Sequence, residues 1–276
     1  MPALLPGFNT KNDKKHYFST RKITLKIFPV IGQPFIVLNT IDSTNNYAMQ
    51  QVNEGSVTPG TTWFAMEQTA GKGQRGKQWL SPPGENLMMT TVLEPRLLAL
   101  SHQFMLSASI ALAAYDCFSK YAGEETGIKW SNDLYWRDRK AGGILIENVL
   151  RGGSWQYAIV GIGININQAQ FPPHLPNPVS LRHITGKDWD AIVLAKELCA
   201  CIQQRFDKLM PANFEAILEE YKSHLFRWQQ PGLYKQGDQY FEAIIRDVIP
   251  DGRLVLEKNG EKMLLGFGEV EFVITK

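Results

Sequence analysis

One stretch, Thr61 to Gly84, limits what this chain can become more than any other. The run Thr61 to Met66 is short, apolar and aromatic-rich, and reads as a buried strand. It delivers Glu67-Gln68-Thr69-Ala70, then Gly71-Lys72-Gly73-Gln74-Arg75-Gly76-Lys77-Gln78-Trp79, with Ser81-Pro82-Pro83-Gly84 close behind. Glycines at 71, 73 and 76 let the backbone approach a ligand and take positive φ. Lys72, Arg75 and Lys77 add positive charge, so the loop is either an anion clasp or a solvated basic surface loop. A dinucleotide fingerprint would need a helix to begin inside the loop, and the paired prolines leave no room for one. A phosphate-binding P-loop would need Ser or Thr where Gln78 stands. The partner motifs of a protein kinase are missing. Those three nucleotide-binding classes are excluded.

Composition narrows the choice further. A chain of 276 residues with 44% hydrophobic residues buries a sizeable core, enough for one large domain and one small one. A net charge of +2 is too mild to point to nucleic acid. Three cysteines, an odd number, fit reduced thiols and a cytoplasmic setting. Cys199 and Cys201 lie two apart in an expected helix and so face different sides, which is wrong for a metal pair. No apolar run approaches membrane-spanning length, and no signal-peptide core opens the chain. Residues 1–33 carry several lysines and read as a poorly ordered extension rather than a helix-turn-helix module.

Along the chain, Phe35 to Leu38 reads as a strand running into Asp42-Ser43-Thr44-Asn45-Asn46. That polar cluster serves either as a helix cap or as hydrogen-bonding groups for a polar ligand. A helix is expected from Ser101, as cap, to about Tyr121, with a core stripe at Phe104, Ala108, Ala111, Tyr115 and Phe118. In Gly127 to Tyr135 a short apolar strand carries Lys129 in and delivers Asn132 and Asp133 at its end, suited to magnesium, phosphate or ribose, or, for Asp133, to the start of a simple turn. Lys140, followed by Gly142 and Gly143, either points its ammonium into a pocket or stays a solvated hairpin charge. The alternation Gly161-Ile162-Gly163-Ile164-Asn165 suits a strand packed closely on a ligand or backbone, and leaves Asn165 in need of a partner. Helices are expected at about Asp188 to Leu209 and Ala212 to His224. From Tyr240 onward, short strands alternate with Pro250-Asp251-Gly252 and Asn259-Gly260 turns.

Five of these pieces together resemble the biotin protein ligases: Asp-Ser-Thr-Asn from Asp42, Gln-Thr-Ala-Gly-Lys-Gly-Gln-Arg-Gly from Gln68, Lys-Trp-Ser-Asn-Asp-Leu from Lys129, Arg-Lys-Ala-Gly-Gly-Ile-Leu-Ile-Glu from Arg139 and Gly-Ile-Gly-Ile-Asn from Gly161. The resemblance covers about Phe35 to Ile274. It implies an α+β fold: a mixed-sheet catalytic domain of the class II synthetase-like biotin/lipoate type over 34–228, then a small SH3-like β-barrel over 229–276. It implies ATP-dependent activation of biotin to biotinyl-5′-AMP, with Mg2+, and transfer to a lysine of a biotin carboxyl carrier protein. Ser43, Thr44, Asn45, Gln68, Gly71 and Lys72 would surround biotin, with Gly73, Gln74 and Gly143 extending that site. Lys140 would meet the biotin carboxylate and α-phosphate. Lys129, Asn132, Asp133 and Asn165 would serve magnesium and the ATP phosphates, and Arg75, Lys77 and Trp79 the adenylate. Lys140, Lys129 and Asp133 are the expected catalytic groups. The family often has Arg where this chain has Gln74, so a looser hold on the adenylate is expected.

Two rivals follow from the same residues. A lipoate-protein ligase shares the reaction type and architecture, but the Lys-Gly-Gln-Arg-Gly loop and the terminal barrel favour biotin. A biotin-responsive DNA-binding repressor is disfavoured because only about 33 residues precede the first core strand. No nucleic-acid or membrane partner is expected, and the chain would act as a monomer or homodimer.

Overall fold

A computed structural model of the chain describes Met1, residues 29–95 and residues 98–274. Most of the expected N-terminal extension therefore lies outside the described residues. The elements follow the order β1 (Phe35–Ile41), α1 (Thr44–Asn53), β2 (Thr62–Gln68), β3 (Leu87–Leu93), α2 (Gln103–Ala122), β4 (Thr126–Lys129), β5 (Asp133–Trp136), β6 (Arg139–Arg151) and β7 (Ser154–Ile164). After these come α3 (Leu181–Thr185), α4 (Ala191–Asp207), α5 (Phe214–Ser223), β8 (Pro231–Gln236), β9 (Gln239–Val248), β10 (Leu254–Lys258), β11 (Glu261–Leu265) and β12 (Glu271–Phe272). The first seven strands form one sheet in the order β1-β2-β3-β7-β6-β5-β4. Only the β1–β2 pair is parallel, so the sheet is mixed.

Strand periodicity sorts the side chains onto two faces. Phe64, Leu93, Ala158 and Val160 point to the face covered by α2, α4 and α5 and join the main core. Trp63, Val92, Val149 and Ile159 point the other way, into a smaller cluster with Ala48 and Val52 of α1. The short helix α1 covers only part of that second face. The functional cavity occupies the uncovered part, at the N-terminal end of α1. The stripe expected on α2 is core, with Phe104, Ala108, Ala111 and Phe118 all buried. Its start differs from expectation: Leu100–His102 make a preliminary turn, and His102 rather than Ser101 holds the cap position, with no side-chain capping bond.

The C-terminal residues form a five-stranded antiparallel sheet, β11-β10-β9-β8-β12, consistent with an SH3-like barrel. Asn259 and Gly260, at φ 53° and 85°, make the β10–β11 turn that their pairing predicts. Strand β8 was not foreseen, because it opens with Pro231-Gly232; proline is tolerated there as the first strand residue. The barrel packs directly on the larger sheet. Trp130 Nε1 donates to Gly252 O at 3.0 Å, and its ring stacks on Phe267 with centroids 5.2 Å apart. Among the described residues, no helix is long and apolar enough to cross a membrane.

Candidate active site

The glycine-rich segment folds back on itself as a hairpin. Trp79 N–H donates to Gly71 O at 2.8 Å, and Gly73 N–H donates to Lys77 O at 2.7 Å. At the tip, Arg75 and Gly76 have φ of 56° and 74°. Two consecutive positive φ values define a type I′ turn, which glycine at 76 makes accessible. Gly71 has a second reason to lack a side chain: a Cβ there would lie 2.5 Å from Trp79 O. The alternation in β7 has a matching cause. A Cβ on Gly163 would lie 2.6 Å from Trp79 Cε2, and one on Gly161 would collide with the Asn45 amide. Both glycines let groups from other elements lie flat on the sheet.

Between hairpin and sheet is a cavity of about 290 Å³. Its walls bring together Ser43, Thr44, Asn45 and Gln68 from the β1–α1 junction and the end of β2. Lys72, Gly73, Gln74, Arg75, Lys77 and Trp79 enter from the hairpin. Asp133, Lys140, Gly143 and Asn165 enter from β5, β6 and the end of β7. Gly71 shapes the hairpin without lining this cavity, and borders a neighbouring one with Gln68 and Trp79. Phe171, Leu175, Pro176 and Pro178 supply an apolar wall from a segment that reads in the sequence only as a proline-rich loop.

Polarity at the α1 end is well defined. Thr44 donates to Gln68 Oε1 twice, from its N–H at 2.8 Å and its hydroxyl at 3.0 Å. With two donors on its oxygen, Gln68 turns its Nε2 toward the hairpin, where a Cβ on Gly71 would be 3.1 Å away. Ser43 precedes the helix in extended conformation but makes no side-chain capping bond, and it is buried at the cavity edge. Of the two roles open to the Asp42–Asn46 cluster, side-chain capping by Ser43 is therefore not used. Asn46 instead donates to Asp42 Oδ2 at 2.5 Å, which lowers the Asp42 carboxyl below its usual value.

At the other end, Lys140 Nζ lies 2.7 Å from Asp133 Oδ1. The Lys140 ammonium thus turns into the cavity, not into the hairpin solvent. Asn165 finds the partner it needs: its Nδ2 donates to Val179 O at 3.0 Å, fastening the proline-rich segment beside Lys140. Besides Gly71, two expected residues lie outside the cavity lining. Asn132 is buried and its side-chain amide is taken up by Ile144 O and the Ser131 hydroxyl, so it ties β5 to β6. Lys129 is mostly buried, with its ammonium 5.0 Å from the Phe272 ring centroid and 5.5 Å from that of Tyr135. Burial lowers its pKa, an effect that nearby Asp133 opposes. Arg75, though on the hairpin, donates to Gly268 O of the barrel at 3.1 Å.

Magnesium can be tested against the donors. Among the described residues no three His, Cys, Asp or Glu side chains cluster as a closed metal cage. A single carboxylate at the cavity, Asp133, suits an ion that arrives mostly bound to nucleotide phosphates. Thr90 and Glu147 are the polar groups that sequence reasoning gave no role. The pair Thr90-Thr91 in the otherwise apolar β3 was the available signal for Thr90.

A mixed sheet that carries a basic glycine hairpin over a Lys–Asp-bearing cavity, followed by a small barrel, defines the class of two-domain acid-activating ligases. The overall fold is similar to that of the biotin protein ligase from Aquifex aeolicus solved in complex with biotin and ATP, with a TM-score of 0.73 over 87% of this chain and 99% of that one, at 24% identity. Residues 37–165 match the model of the biotin/lipoate A/B protein ligase family. The biotin–[acetyl-CoA-carboxylase] ligase of Paracoccus denitrificans is 30% identical over 86% of this chain and 99% of its own length. The bifunctional ligase/repressor BirA of Escherichia coli is 30% identical over 83% of this chain and 71% of its own. The chain belongs to the biotin/lipoate A/B protein ligase family.

Proposed function

We propose that this chain is a biotin protein ligase, which activates biotin with ATP and transfers it to a lysine of a carboxylase's biotin carrier protein. The observation that carries the choice of acid is the polarity around Thr44 and Gln68. The Thr44 hydroxyl spends its proton inward and offers lone pairs to the cavity, while Gln68 offers an N–H donor beside it. An acceptor next to a donor complements a cyclic urea, with its N–H and C=O groups. Lipoate's dithiolane has neither group. From β2 to β6 there are three strand spacings, roughly 14 Å between backbones. That span suits a ring at the Thr44 end and a carboxylate at the Lys140 end.

The chemistry explains the rest of the lining. Carboxylate oxygen attacks the α-phosphorus of ATP, pyrophosphate leaves, and an acyl adenylate forms. Two anions must meet, and Lys140 offsets their repulsion. A cation ~4 Å from an anionic oxygen is worth about 4 kcal/mol at an effective dielectric near 20. At ~1.4 kcal/mol per decade, that is on the order of a thousandfold in rate. Magnesium, held through Asp133 and the phosphates, would offset charge on the departing pyrophosphate. In the second step the carrier lysine's amine attacks the mixed anhydride and AMP leaves, with positioning as the main contribution. No enzyme nucleophile is required; the three cysteines are buried and none lines the cavity. The hairpin, resting on β7 through Trp79, shields the adenylate from water.

In this reading 34–228 is the catalytic unit and 229–276 a barrel that steadies the hairpin through Arg75. Lys129 and Asn132 act from beneath the site, holding β4, β5 and β6 in place. The reading also carries a cytoplasmic location, no nucleic-acid partner, and a monomer or homodimer. Biotin-dependent ATP–pyrophosphate exchange by the purified chain tests it.

A further inference from the structure

We infer that residues 266–269, the barrel loop between β11 and β12, set the distance across the phosphate end of the site, with Arg75 and Phe267 as positioning residues for ATP. The inference rests on the acid-activation reading above and deepens it. The hairpin leaves the sheet at β2, while Asp133 enters the cavity from β5, four strand spacings away, roughly 19 Å between backbones. The barrel loop touches both sides of that gap. At the hairpin tip, Gly268 O accepts from Arg75 Nη1 at 3.1 Å. One residue earlier, Phe267 stacks on Trp130, with centroids 5.2 Å apart and 13° between ring planes. Trp130 lies in the turn that leads into β5 and Asp133.

Neither contact is explained by the turn or the core alone. Arg75 holds a left-handed backbone, φ 56° and ψ 40°, where a type I′ turn favours asparagine or glycine. The turn gains nothing from arginine, and the guanidinium goes to the barrel. Gly268 is shaped to receive it: its φ is 79°, and a Cβ there would collide with the Arg75 guanidinium. The loop that presents this carbonyl is closed on itself. Gly266 N–H donates to Glu269 Oε2 at 2.6 Å, and Glu269 N–H donates to Gly266 O at 3.2 Å. Phe267 stays 56% exposed, so its ring on buried Trp130 acts as an anchor more than as core volume. The hairpin tip and the strand end bearing Asp133 thus share one support outside the large sheet. After burial, the charges acting on the Lys129 ammonium are led by Asp133, Lys140 and Lys77, so the base of the tip stands over the anion end. The ring end, at Thr44 and Gln68, depends instead on the hairpin stem, where Trp79 lies on Gly163. Freeing the tip should loosen the hold on the nucleotide and spare the acid's ring.

ATP–pyrophosphate exchange by the full-length chain tests this, with KM read separately for ATP and for biotin. Arg75→Ala should raise the ATP KM about fivefold or more, leave the biotin KM within about twofold, and keep the melting temperature within a few degrees. Gly268→Asn tolerates the positive φ but puts a Cβ where the guanidinium sits, and should give the same split. Both changes cut one contact, so the double variant should exceed the worse single variant by less than about twofold. Phe267→Ala should raise the ATP KM in the same way, and Phe267→Tyr, which keeps the stacked ring, should restore it. An unchanged ATP KM, a parallel rise in both KM values, additive losses for the Arg75–Gly268 pair, or a Tyr variant as impaired as the Ala variant would overturn the role. If Gly268→Asn does not fold, Glu269→Ala takes its place in the cycle, loosening the loop without touching the hairpin, and the same limits apply. Exchange with lipoate in place of biotin would remove the proposed acid, and the loop would then be judged by the ATP KM measured with lipoate. No exchange with either acid would overturn both.

Discussion

Lys140 separates chemistry from folding at the scale of a single residue. It is half-buried, its backbone is pinned by bonds to Asn177 O and from Val179 N–H, and its ammonium faces Asp133 in the cavity. Lys140→Ala should therefore keep its melting temperature within a few degrees while adenylation falls on the order of a thousandfold. Unchanged exchange would remove Lys140 from the mechanism. Gln74 is the position peculiar to this chain. Its neighbour Arg75 is committed to the barrel carbonyl of Gly268, so it is not placed to substitute for an arginine at 74. Gln74→Arg should slow adenylate release severalfold in single-turnover trapping, because charge-assisted bonds to phosphate are about twice as strong as neutral ones. Equal release rates would dismiss the effect. The residues alone left Lys140 open between a pocket and a solvated hairpin, and Thr44 open between a helix cap and a ligand contact; the structure brings both, with Gln68, into one cavity lining. The contact between Asn45 and Glu147 was not legible, since it joins residues 102 positions apart.

Among the elements, the hairpin and β7 form one device. Gly163 is the floor on which Trp79 lies, and a Cβ would intrude on that ring. Gly163→Ala should cost about 1–3 kcal/mol of stability as overpacking, and it should also displace the hairpin. Biotin affinity, measured by titration calorimetry, should fall tenfold or more while the far-ultraviolet circular dichroism stays native. An unchanged affinity would mean that Trp79 can move without disturbing the site. Alternating glycines in an apolar strand announced a close approach, and that much could be read from the chain. The approaching groups could not, because Trp79 and Asn45 come from two separate elements. Strand β8 was hidden for a different reason: its alternating buried positions are Gly232 and Tyr234, so a Pro-Gly start stands where an apolar alternation would have signalled a strand.

For the whole molecule, the large and small sheets share a continuous hydrophobic core that runs from Phe104 and Trp130 to Tyr234 and Ile245. The two-part organisation was visible as a change of pattern after the last helix. Their junction was not, because it depends on tertiary contacts: Trp130 to Gly252, Phe267 on Trp130, and Arg75 to Gly268. Every part of this assembly is assigned to one task, the activation of an acid that carries a cyclic urea at one end and a carboxylate at the other. The most direct measurement is ATP–pyrophosphate exchange by the purified full chain, run in parallel with biotin and with lipoate over the same concentration range. The account predicts saturable exchange with biotin and none above background with lipoate. Exchange supported equally by both acids, or by lipoate alone, would contradict it.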